Sequence, residues 1–66
     1  MQIKQINVAE QSVVIEAFGK ERLVTFNSNG DIDIVPVDDL SEGGVDMLFD
    51  KILNNEEINE ALPYEG

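Results

Sequence analysis

The sequence predicts an α+β fold: a four-stranded antiparallel β-meander, then one amphipathic helix packed on one sheet face, then a short C-terminal helix. Three observations predict it. Residues 2–35 hold four runs rich in β-branched side chains, separated by turn residues. From Val45 the apolar residues recur at i, i+3, i+4, i+7 and i+8, the spacing of one helix face. Between these regions, VDDLSEGG at 37–44 is charged and small, with two glycines, and reads as a loop. The expected domain spans residues 1–62, with a C-terminal tail over 63–66.

The most informative stretch is Arg22–Val37. Its turn can close in two ways. A two-residue Asn29-Gly30 loop pairs Phe26 with Asp33 and scatters the apolar residues over both faces. A three-residue loop, Ser28-Asn29-Gly30 with Gly30 at positive φ in a G1 bulge, pairs Phe26 with Ile32, Thr25 with Asp33 and Val24 with Ile34. Register follows the pairing that gathers apolar side chains, which selects the three-residue loop.

The first strand is read over 2–8 and the second over 12–18, joined by a turn at Ala9-Glu10-Gln11-Ser12 that pairs Val8 with Val13. Gly19-Lys20 supplies the next turn, with Gly at its first central position, which pairs Phe18 with Glu21. Together these registers place Ile6, Val8, Val13, Ile15, Ala17, Val24, Phe26, Ile32 and Ile34 on one face. Pro36, late in the fourth strand, suits a sheet edge because it has no N–H to donate.

Val45, Leu48, Phe49, Ile52 and Leu53 form the stripe of the long helix and pack on that face. Extending the same helix would carry Glu56 onto the stripe, so a break is expected at Asn54-Asn55. Asn54 with Glu57 three residues on resembles a capping pair for the short helix. Ile58, Ala61 and Leu62 hold that helix down, and Pro63 ends it.

The opposite sheet face is less polar than a solvent face usually is. Ile3, Val14, Phe18, Leu23 and Val35 are expected there as an apolar patch, suited to an interface between copies of the chain. A sheet that curls, or a C-terminal segment folded over it, would instead cover that patch.

Charge is the second feature that bears on function. The 66 residues carry 14 carboxylates against 4 basic residues, for a net charge of −10. Residues 1–30 balance to zero, whereas residues 31–66 hold eleven carboxylates against Lys51 alone. This disfavours direct nucleic-acid binding, which needs Lys and Arg against phosphates. It favours a protein partner with a basic surface. Asp46, Asp50, Glu56, Glu57 and Glu60 form the expected acidic interaction surface. Asp38, Asp39 and Glu42 have a simpler explanation, since they precede a helix whose N-terminus favours negative charge.

Catalysis is poorly supplied. Histidine and cysteine are absent, and Ser12, Ser28 and Ser41 sit where turns explain them. Asp38-Asp39 and Glu56-Glu57 are adjacent pairs whose side chains diverge. No enzyme activity, cofactor or metal site is expected. Asn27–Asp33 offers oxygen ligands around Gly30, but a calcium loop requires acidic residues where Thr25 and Pro36 stand. No run of about 18 apolar residues is present to span a membrane. The alternating, polar start of the chain does not read as a leader peptide, and the expected compartment is the cytoplasm.

Two readings of function follow. The first is a small acidic protein-interaction module, acting as an inhibitor of a basic, nucleic-acid-binding protein by imitating the charge of DNA. The second is a structural or accessory homo-oligomer that assembles through the apolar sheet face, as a closed symmetric dimer.

Overall fold

A computed structural model describes residues 1–29 and 31–62. The expected positive φ of Gly30, the stop at Pro63 and the tail over 63–66 lie outside the described residues. Four strands, β1 (Gln2–Asn7), β2 (Ser12–Ala17), β3 (Lys20–Phe26) and β4 (Ile32–Val35), form one antiparallel sheet in sequence order. Helices α1 (Glu42–Leu53) and α2 (Glu56–Ala61) follow. The meander with one long and one short helix is the α+β architecture that the sequence predicts.

The β3–β4 hairpin has the expected register. Phe26 pairs with Ile32, Thr25 with Asp33, Val24 with Ile34 and Leu23 with Val35. The Asn27 amide donates to the Asp31 carbonyl at 2.8 Å, which closes the three-residue loop. Asn29 stabilises the turn by accepting from the Asp31 amide through its side chain.

The other two hairpins are displaced by two residues from their expected pairing. The β2–β3 turn is Phe18-Gly19, not Gly19-Lys20, so Ala17 pairs with Lys20, Ile15 with Arg22 and Val13 with Val24. Both turn residues have positive φ, 54° and 82°, as a type I′ turn requires. In the first hairpin β1 ends at Asn7, which pairs with Ser12, and Ile6 pairs with Val13. Residues 8–11 form the turn, closed by the Gln11 amide on the Val8 carbonyl at 3.2 Å. A shift of two conserves the faces because side chains alternate with period two. The apolar face therefore survives, except that Val8 leaves it and is 61% exposed.

A bulky residue at positive φ is strained, whereas Asn tolerates that conformation and Asn-Gly is favoured in this turn. Because Phe18 is also half exposed, Phe18→Asn is expected to raise stability by about 0.5–1 kcal/mol, read as a higher denaturation midpoint in urea. A lowered midpoint would mean that the Phe18 ring contributes packing that outweighs its backbone strain.

A register shift between Ile3 and Gln5 brings Ile3 opposite Ile15. A bulge adds one residue and so reverses the face of everything beyond it. Ile3 accordingly packs against the core, with Ile6. This corrects its expected place on the outer face.

Helix α1 begins at Glu42, three residues before the expected start. Ser41 is its N-cap and accepts from the Gly44 amide at 3.2 Å. That capping bond recruits Gly43 and Gly44, which composition alone assigns to a loop, into the first turn. Asn54 caps the C-terminal end by donating its amide to the Asp50 carbonyl at 2.9 Å. Asn55, and not Asn54, is the N-cap of α2; it accepts from the Ile58 amide at 3.0 Å. Leu48, Ile52, Ile58 and Leu62 join Val13, Ile15, Ala17, Val24, Phe26 and Ile34 in one buried cluster. The helices thus cover one sheet face and leave the other outward.

Candidate functional site

The five carboxylates expected to form the acidic surface are all exposed. Among the described residues, the two ion pairs present engage none of them. Helical spacing builds two like-charge pairs, Asp46 with Asp50 and Glu56 with Glu60, each about 6 Å apart along its axis. Such i, i+4 pairs cost a helix about 0.2–0.5 kcal/mol each. Glu56 and Glu57 recover some of this by lying in the first turn of α2. Asp50 and Glu60 lie towards helix C-termini, where negative charge is unfavourable, so the macrodipole does not explain them. Asn59 ties the helices together by donating its side-chain amide to the Leu53 carbonyl at 2.9 Å.

Beside the start of α1 lies a depression of about 290 Å³ lined by Leu40, Glu42, Val45 and Asp46. Two carboxylates and two apolar side chains there match both ends of a lysine or arginine, whose methylenes pack while the charge pairs.

The cations are disposed differently. Lys4 lies 3.7 Å from Glu16. Arg22 is only 1% exposed. Its Nε donates to the Ala17 carbonyl at 2.9 Å, and one terminal nitrogen donates to the Pro36 carbonyl at 2.6 Å. The two terminal nitrogens also meet both carboxylate oxygens of Asp39 at 2.8 Å. These hydrogen bonds hold Asp39 down at about 2, against an ordinary 3.8, with partial desolvation opposing them. The pair raises the Arg22 pKa in turn, chiefly through the same hydrogen bonds. Asp39 is therefore a structural partner, which corrects its assignment to the helix N-terminus.

Sequence reasoning missed this pair although its signal was present. Arg22 shares strand parity with Val24 and Phe26, so it had to point inward. A buried arginine needs a carboxylate, and the loop at 37–44 supplies one.

The expected apolar interface is brought together only in part. Val14, Leu23 and Val35 form a row across three strands through the pairs Val14–Leu23 and Leu23–Val35. Leu23 and Val35 are 45% and 62% exposed. Phe18 lies in the turn beyond the row, and Ile3 is on the core side. Gln5 extends the row on β1 opposite Val14.

Among the described residues, no three of His, Cys, Asp and Glu are grouped to hold a metal ion, and no helix is long and apolar enough to cross a membrane. Comparison with protein-family models, with curated proteins and with solved structures finds no match to this chain.

Proposed function

We propose that this chain is a small acidic interaction module whose helical carboxylates engage a protein with a basic surface. One observation carries the reading. Among the described residues, Asp46, Asp50, Glu56, Glu57 and Glu60 are exposed without ion-pair partners, while Arg22 is consumed inside the fold. Repulsion between these carboxylates is relieved when a basic surface meets them, so part of the binding free energy is already built into the helices. The apolar-floored depression at Glu42 and Asp46 adds a place for one basic side chain. A module that covers a phosphate-binding surface blocks it, which is inhibition by occupancy. In this reading the chain works in the cytoplasm, which its lack of cysteine suits.

Screening provides the test. The Debye length falls from about 10 Å at 0.1 M salt to about 3 Å at 1 M. A partner captured from cell extract by the immobilised chain at low salt is expected to be released as salt rises. Retention unchanged at 1 M salt contradicts an electrostatic interface.

A second reading, a homodimer through the outer sheet face, is favoured by the Val14–Leu23–Val35 row, in which Leu23 and Val35 are exposed. Opposing it, a dimer brings two chains of charge −10 together, with Glu16, Glu21 and Asp33 around the row. Leu23→Glu is expected to dissociate such a dimer, and an unchanged mass by light scattering at micromolar protein rules that interface out.

A further inference from the structure

The outer sheet face carries a second depression, on the side of the sheet away from α1 and α2. It measures about 180 Å³ and is lined by Gln5, Asn7, Glu10, Ser12, Val14 and Leu23. That is room for several waters, or for the end of one long side chain. Ser12 is 7% exposed, and among the described residues its hydroxyl has no hydrogen-bond partner. No fully enclosed side-chain oxygen or nitrogen lacks a partner among those residues, so the Ser12 oxygen keeps some exposed surface, and Ser12 lines the depression. A hydroxyl in so confined a place gains when something donates to it.

The lining selects the chemistry of that donor. Its one charged group is the Glu10 carboxylate. The Asn7 side chain braces the turn by accepting from the Glu10 amide at 3.1 Å. Lys4, on the same strand as Gln5 and Asn7, lies 3.7 Å from Glu16 and does not line the depression. An anion would meet the Glu10 carboxylate with no cation in the lining to offset it. A cation with several donors would meet the Glu10 carboxylate, the Ser12 hydroxyl and the Gln5 amide oxygen, with Val14 and Leu23 beneath its methylenes. Guanidinium fits better than ammonium because it offers five donors in a plane and is more weakly hydrated.

We propose that this depression is a binding site for an arginine side chain of a partner protein. The site lies on the opposite side of the sheet from the helical carboxylates, so it stands or falls separately from them.

The test is a chemical-shift titration of the isotopically labelled chain with Nα-acetyl-arginine amide. The citrulline analogue, which has nearly the same shape without the charge, is the control. Saturable shifts are expected at the amides of Gln5, Glu10, Ser12, Val14 and Leu23, with much weaker effects from citrulline. Glu10→Gln is expected to weaken binding about two- to fivefold, the range of an exposed ion pair. Ser12→Val suits a strand and should fold; it is expected to weaken binding about two- to tenfold by removing the hydroxyl. Equal shifts with citrulline, shifts confined to α1 and α2, or no shifts at the five amides each overturn the proposal. So do two folded variants that bind as tightly as the parent chain.

Discussion

Arg22→Ala is expected to lower the thermal midpoint by on the order of 10–20 °C, the largest loss for any single polar side chain in the molecule. The substitution removes the bonds to Ala17 and Pro36 and the two-pronged pair with Asp39. It leaves a carboxylate and two carbonyls short of a donor, and a void beside Ile15, its cross-strand neighbour. It also detaches the loop that leads to Ser41 and α1. Arg22→Lys should recover little, because an ammonium cannot bond both Asp39 oxygens and the carbonyls from one position. Thermal melts followed by circular dichroism decide this. A midpoint within about 2 °C of the parent would mean that the pair is dispensable.

The same pair fixes an acid limb of stability. Asp39 has a depressed folded value, about 2 against 3.8. Its contribution is therefore complete above the unfolded value and is lost as pH falls through the folded one. The stability gap between the parent and Asp39→Asn is expected to hold down to about pH 4 and to close by about pH 2. A gap that stays constant over that window would mean that the carboxylate charge is not what Arg22 requires.

Leu48→Ala is the second large effect. Leu48 is fully buried between sheet and helices, and few other α1 residues are as deep. Truncating a buried leucine costs about 2–5 kcal/mol. A chain of this length has roughly 3–10 kcal/mol in total, at about 0.05–0.15 kcal/mol per residue. The variant should therefore be partly unfolded at 25 °C, or nearly so, with loss of helical signal. Met47→Ala, on the exposed side of the same helix, should change stability by less than about 0.5 kcal/mol. Similar losses from both would contradict the packing of α1 on the sheet.

Side-chain alternation made the fold readable. The β3–β4 register, most of both sheet faces and the Leu48, Phe49 and Ile52 part of the α1 stripe follow from where apolar residues recur, whereas Leu53, expected on that stripe, is 40% exposed. The errors lie where a local device overrides that pattern. Nothing marks a bulge at Lys4, so Ile3 was expected on the outer face. Phe18 at positive φ runs against residue preference in turns, so Gly19-Lys20 was favoured over Phe18-Gly19. Gly43 and Gly44 resemble a loop until Ser41 is recognised as a cap. Arg22 shows a different kind of signal: only its strand parity with Val24 and Phe26, not its charge, marks it as an interior residue. The exposure of Asp46 and Asp50 follows directly from the position of the apolar stripe on their helix.

The most direct test of the acidic interface separates the position of charge from its amount. One variant carries Asp46→Asn, Asp50→Asn, Glu56→Gln, Glu57→Gln and Glu60→Gln. The other carries Glu16→Gln, Glu21→Gln, Asp31→Asn, Asp33→Asn and Asp38→Asn. Each removes five carboxylates and takes the net charge from −10 to −5. The measurement is the amount of partner each retains from one extract at about 0.1 M salt, and the salt that elutes it. The helix variant is expected to lose roughly tenfold or more of the bound partner, and the other to stay within a few-fold of the parent. Equal losses from the two variants would show that net charge alone attracts the partner and that the helices of this fold present no interface.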